Sequence, residues 1–136
     1  MAKHILGPNT TVTINGTDIS QYVTNVTVED TAEEVDVTGM SEDFREYTRG
    51  IRDMSVTLTF LQDYASGGPD ALISPLYYND TAGTVKVNPQ TSGTVVYTAI
   101  SKPYGWSPVS GAVGAANTVD VTFRNASTAG LTRGTA

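Results

Sequence analysis

The sequence predicts a mainly β domain: an antiparallel β-sandwich or barrel with one short α-helix and one long inter-strand loop. Three observations carry that expectation. Between Ser55 and Phe60, Val56, Leu58 and Phe60 alternate with Ser55, Thr57 and Thr59, the pattern of a strand with one buried and one wet face. Threonine, valine, glycine and tyrosine dominate the patterned segments, and branched or aromatic side chains suit a pleated surface. Helical spacing of apolar residues occurs in one place only, after Pro69.

A chain of 136 residues fits a single domain, 1–136, with enough length to bury a core. Its hydrophobic fraction of 39% and charged fraction of 16% exclude wholesale disorder. Residues 1–9 read as an N-terminal arm and residues 126–136 as a small, polar tail with no core of its own.

Thr11-Val12-Thr13-Ile14 alternates and runs into Asn15-Gly16, a strong hairpin signal. Thr17 to Ser20 follows as a brief turn stabilised by Asp18 or Ser20. Tyr22, Thr24, Val26 and Val28 then share one face of a second strand, and Thr31 to Glu34 interrupts it as a bulge or turn. A third strand is expected over Val35–Gly39, and the firmest of all over Met54–Tyr64. Pro69 suits a first helical position and Asp70 the positive end of the helix dipole. Leu72, Ile73, Leu76 and Tyr77 recur at helical spacing, with Pro75 limiting the length. Strands over Thr84–Val87 and Val95–Ile100 flank a turn at Asn88–Gly93. Lys102 to Pro108 reads as a rigid aromatic connector, and Ser110–Asn117 as a Gly/Ala loop. The closing strand, Thr118–Arg124, points Val119, Val121 and Phe123 inward.

The segment from Met40 to Asp53 reads as a loop too long for a turn, and such loops are usually functional or disordered. Phe44 and Tyr47 stand there among Glu42, Asp43, Arg45, Glu46, Arg49 and Arg52. Aromatic anchors among charges of both signs fit a binding loop, because a surface must offset the entropy lost on ordering. Met40, Phe44, Arg45, Tyr47, Arg49 and Arg52 are therefore the expected subunit interface, the arginines meeting carboxylates of a neighbour.

The chain carries a net charge of −6, with acids crowded between Glu29 and Glu46. That sign disfavours tight phosphate binding. There is no cysteine, so disulfides and thiolate metal sites are excluded. His4 is the sole histidine and lies in the arm, so Ser-His and His-metal schemes lack their parts. No Gly-rich stretch is followed by Lys-Ser/Thr, and Glu33, Glu34 and Asp36 do not match a calcium loop. No catalytic residue, metal or cofactor is expected. The N-terminus has no apolar run of signal-peptide length and no stretch approaches a membrane span, so no membrane partner is expected.

The order of these pieces resembles the tail tube (major tail) proteins of long-tailed bacteriophages. The matching elements are Gly16-Thr17-Asp18-Ile19-Ser20 with Tyr22-Val23, Val35-Asp36-Val37-Thr38-Gly39-Met40, and Arg45-Glu46-Tyr47 with Gly50-Ile51-Arg52-Asp53 leading into the strand Ser55–Phe60. A Pro-Asp-Ala-Leu helix start and Val121-Thr122-Phe123-Arg124-Asn125-Ala126 complete the match, which spans most of the chain. The resemblance implies a β-sandwich with one helix whose copies form homo-oligomeric rings, hexameric in that family, stacked into a hollow tube for DNA. It implies partners among other virion tail or capsid proteins and a place in the virion tail, after assembly in the host cytoplasm. DNA would pass without specific binding, and Glu29, Asp30, Glu33, Glu34, Asp36 and Asp120 are candidates for the lumen wall. Two other readings stay open: a capsid decoration or head–tail connector protein, and a carbohydrate- or cell-surface-binding sandwich using Tyr104-Gly105-Trp106 as a stacking ledge.

Overall fold

The computed structural model describes residues 10–89, 95–127 and 130–135. His4 and the rest of the N-terminal arm, most of the turn before Val95, and parts of the C-terminal segment lie outside the described residues.

Asn15 and Gly16 adopt φ of 51° and 85°, the left-handed pair that a two-residue hairpin needs to match strand twist. They join β1 (Thr11–Ile14) to β2 (Thr17–Asp18). Asp18 then accepts from the backbone N–H of Ser20 at 2.8 Å, and Ser20 Oγ accepts from Val12 N–H at 2.9 Å. Those bonds swing the chain across into β3 (Val23–Asp36), which pairs antiparallel with β4 (Tyr47–Leu61).

The β3–β4 hairpin departs from expectation in length. At about 3.3 Å per residue, the 15 residues of β4 extend about 45–50 Å. The expected loop over Met40–Asp53 is strand from Tyr47 onward, and the connection spans 37–46. Two bulges punctuate the ladder. One sets Thr24 out of register between Val23 and Asn25, so Val23 joins Val26 and Val28 against the core while Thr24 is exposed. The other lies between the Ala32–Arg52 and Glu34–Arg49 pairs, where Gly50 and Ile51 oppose Glu33 alone.

Helix α1 (Pro69–Tyr78) begins with Pro69 in its first turn and buries Ile73 and Leu76. After β5 (Gly83–Asn88), strand β6 (Val95–Tyr104) takes in the first three residues of the expected aromatic connector. Pro103 is tolerated because β5 pairs only as far as Ser101, leaving that stretch one neighbour, β7 (Thr118–Asn125). The tail is not coreless either. β8 (Leu131–Thr135) pairs with Val95–Ala99 of β6, and Leu131 packs against the core.

All strands belong to one antiparallel sheet in the order β2-β1-β5-β6-β7-β4-β3, with β8 added beside the first half of β6. The sheet is open, not a closed barrel. Val12, Ile14, Val85, Val87 and Ala99 from one arm meet Val56, Leu58, Phe60, Val119, Val121 and Phe123 from the other in a single core. The alternation read in β4 and β7 therefore has the expected register.

Candidate assembly interface

β7 pairs with β4 only from Ser55 to Leu61. Beyond Ser55 the hairpin leaves the sheet as a two-stranded ribbon, Glu29–Asp36 against Tyr47–Met54, with its outer residues exposed. An isolated two-stranded ribbon is at best marginally stable in water, so side-chain bonds must hold this one. Among the described residues, three charge pairs lie along it or at its root. Arg52 bonds Asp30, Arg124 reaches Asp53 at 3.2 Å, and Arg45 meets Asp36 at 2.8 Å. The pairing with Asp30 raises the Arg52 pKa further.

The tip is closed at its base by a compact network. Asp36 accepts from Thr38 N–H at 2.9 Å and from Arg45; Thr38 Oγ1 accepts from Glu46 N–H at 2.7 Å; and Val37 N–H donates to Glu46 O at 2.9 Å. Hydrogen bonding by the Thr38 side chain and backbone, then by Arg45, holds the Asp36 carboxyl below its usual pKa. Above this clamp the tip presents apolar surface: Met40 is fully exposed and Phe44 is 86% exposed. Tyr47 is half exposed and Ile51 is 82% exposed.

The expected interface residues thus share one projection but divide by role. Met40 and Phe44 form the tip, Arg45 clamps its base, and Tyr47, Arg49 and Arg52 lie on the ribbon strand. Of the three arginines, Arg45 and Arg52 are spent on acids of their own chain, and Arg49 has no ion pair among the described residues. Reading the loop from its composition does not single out Ile51 or the Asp36–Thr38 clamp. A signal is nonetheless present: acids at 30, 34 and 36 and arginines at 52, 49 and 45 mirror one another about the tip.

The candidate lumen acids do not share a face. Asp30, Glu34 and Asp36 continue the side of the ribbon that carries Met54, while Glu29 and Glu33 alternate to the other side. Asp120 faces outward between Val119 and Val121, accepting from Thr59 Oγ1 at 2.6 Å. Glu29 and Asp120 therefore flank one outer surface, with Thr27, Ser55, Thr57, Thr59 and Thr122 between them. The cations on or beside that surface, Arg124 and Lys102, are each held by an acid, Asp53 and Asp80.

At the opposite end of β4, Tyr64 Oη donates to Pro108 O at 2.6 Å and accepts from Asn117 Nδ2 at 2.7 Å, fixing a loop that exposes Val109 and Val113. Nearby, Asp63 accepts from Ala65 N–H and Tyr22 Oη, which lowers its pKa and raises that of Tyr22. The stacking ledge expected at Tyr104-Gly105-Trp106 does not take that form. Trp106 lies with its ring centroid 6.3 Å from that of Phe60, packed on the core with its Nε1 buried. Among the described residues no cluster of three or more His, Asp or Glu could hold a metal, and no helix is long and apolar enough to cross a membrane.

No protein-family model and no curated protein matches this sequence. Solved structures do match its fold. A chain in the virion of a native gene transfer agent particle superposes with a TM-score of 0.75 at 12% identity, covering 96% of this chain and 97% of that one. A chain in the tail of an empty gene transfer agent particle, refined with C6 symmetry, gives 0.68 at 16% identity over 82% and 81%. A chain in the sheath–tube complex of an extracellular contractile injection system gives 0.67 at 8% identity over 94% and 89%. The chain has, over nearly its whole length, the antiparallel β fold found in these phage-tail-like assemblies.

Proposed function

We propose that this protein is a structural subunit that self-associates into stacked rings of six copies, forming the tail tube of a phage-like particle through which DNA passes. The observation that carries this reading is the nearly full-length fold likeness to chains of virion, tail and tube assemblies, one of them six-fold symmetric.

The molecule's physics supports it. The sheet ends in an edge strand, β3, and sends out a ribbon with unpaired backbone on both sides beyond the core. Such edges invite aggregation unless covered, and ring closure covers them. A rigid base holding Met40 and Phe44 in solvent is a costly arrangement for a monomer and a useful one for a subunit. The flat hydroxylated surface flanked by Glu29 and Asp120 is our candidate lumen wall. Its acids and its already paired cations leave little to retain a phosphate backbone. We read the protein as non-enzymatic, working with other tail or capsid proteins and located in the virion tail after assembly in the host.

Negative-stain electron microscopy of the purified protein across a concentration series tests this directly. Rings or hollow tubes are the expected result. Featureless monomers at every concentration, or subunits that decorate a capsid shell without enclosing a channel, would overturn it.

A further inference from the structure

Beside the root of the ribbon lies a groove of about 390 Å³, walled by Asp30, Arg49, Ile51, Arg52 and Asp53 from the ribbon and by Leu131 at the start of β8. It exists because β4 outruns β7. The ribbon continues past the last rung, Ser55–Arg124, while β8 begins after β7 on the same flank of β6 and runs on in the same direction. The groove is apolar at Ile51 and Leu131, and its charges are nearly balanced internally. Arg52 is matched by Asp30, and Asp53 by Arg124. Arg49 is left as the groove's spare cation among the described residues.

The tip of the same hairpin has the complementary chemistry. Phe44 stands 86% exposed beside Met40. Arg45 is committed to Asp36, whereas Glu42, Asp43 and Glu46 have no ion pair among the described residues. The tip thus offers an aromatic anchor surrounded by unmatched negative charge, and the groove offers Ile51 and Leu131 among charges that are paired except for Arg49. A copy's own Phe44 does not fill its own groove, because the ladder through Asp36–Tyr47 holds the tip out in solvent.

Resting on the tube reading above, we infer that the groove between the ribbon root and β8 receives the hairpin tip of a second copy, with Phe44 seated against Ile51 and Leu131 and the tip carboxylates facing Arg49. Tip and groove are different surfaces of one molecule, so the contact is heterologous. Each copy then gives one tip and accepts one, and repetition propagates a ring or a stack without any further partner. An aromatic anchor seated in a pocket is the kind of contact that carries binding energy at an interface. Lone acidic tips on a chain of net charge −6 would otherwise repel one another.

The test places a photoreactive benzoylphenylalanine at position 44, or in a second variant at position 51, lets the protein assemble, irradiates it, and maps the products by mass spectrometry. From position 44, cross-links to residues 49–54 or 130–131 of another copy are expected; from position 51, cross-links to residues 40–46 of another copy. In tubes that form normally, cross-links from position 44 to the 105–117 loop, links within one chain, or no inter-chain product would overturn the inference and leave the tube reading intact. Failure of the unmodified protein to form rings or tubes would remove both. A mixing experiment supplies an independent readout. Phe44→Ala and Arg49→Glu, each shown to be folded by circular dichroism, should each fail to polymerise alone. Mixed, one supplies an intact groove and the other an intact tip, so discrete heterodimers should appear. Polymerisation of either variant at the unmodified protein's level, or a mixture that stays monomeric, would count against the contact.

Discussion

Asp36 uses both carboxylate oxygens to close the base of the tip, one on Thr38 and one on Arg45. Its pKa in the folded chain lies below the unfolded value, so its contribution is complete above about pH 4 and is lost as pH falls through the lower folded value. The protection factors of the Thr38 and Glu46 amides, exchange corrected for its intrinsic pH dependence, should therefore fall on acidification before the core strands open. Asp36→Asn, which keeps an acceptor but drops the charge facing Arg45, should show part of that loosening at neutral pH. In the core the magnitudes are larger. Phe60 and Phe123 are fully buried on neighbouring strands, and truncating either to alanine should cost about 3–5 kcal/mol, a large share of a small domain's stability. A melting temperature unchanged by Phe60→Ala would contradict the inward register of β4. Gly83→Ala is a finer probe. An added Cβ would lie 2.7 Å from Leu76 Cδ1, so the buried Leu76 side chain must move off its rotamer, with an expected cost of about 0.5–1.5 kcal/mol seen in denaturant unfolding.

At the scale of elements, replacing residues 37–46 by a two-residue Asn-Gly turn should leave a monomer with unchanged circular dichroism that forms no tubes, as electron microscopy would show. An element of this fold is legible in the sequence when it buries a face. β4 from Met54 to Phe60 and β7 alternate in and out of the core, and that period is written into Val56, Leu58, Phe60, Val119, Val121 and Phe123. The Asn15-Gly16 turn and the Pro69 helix start are legible because each depends on local backbone chemistry. The ribbon is not, because neither of its sides is buried and no hydrophobic period is required of Tyr47-Thr48-Arg49-Gly50-Ile51-Arg52-Asp53. The bulge at Gly50 and Ile51 further scrambles what alternation there is. β8 escapes for a related reason: Leu131 is its core contact, and its strand character comes from β6 offering an open edge. Trp106 is hard to place from sequence because adjacent aromatics give no hint of which ring turns inward.

For the whole molecule, the useful variable is the charge of the surface between Glu29 and Asp120. With Arg124 and Lys102 already paired, that surface offers a passing polyanion no free cation among the described residues. Glu29→Lys with Asp120→Lys should leave ring formation intact, since both side chains are exposed and outside the tip and groove. In a particle, the same change should slow DNA release, and the defect should ease as salt rises, because counterion release weakens with ionic strength. A release defect insensitive to salt would mean that this face does not line the channel.

Strand β6 divides one flank between two partners, β7 along its second half and β8 along its first. The division sets an order of events during folding. Tyr97–Ala99 can dock on β5 early, through a short connection, but the other flank waits for Leu131–Thr135, which follows β7 and continues in its direction along β6. Contacts so far apart in sequence form more slowly than those of hairpins. For that interval each newly made subunit carries a raw strand edge able to join another subunit's edge in the wrong register. Time, as much as contact strength, then governs yield. Removing residues 130–136 should make the vulnerable interval permanent, giving amyloid-dye-positive aggregates in place of either soluble subunits or ordered polymers.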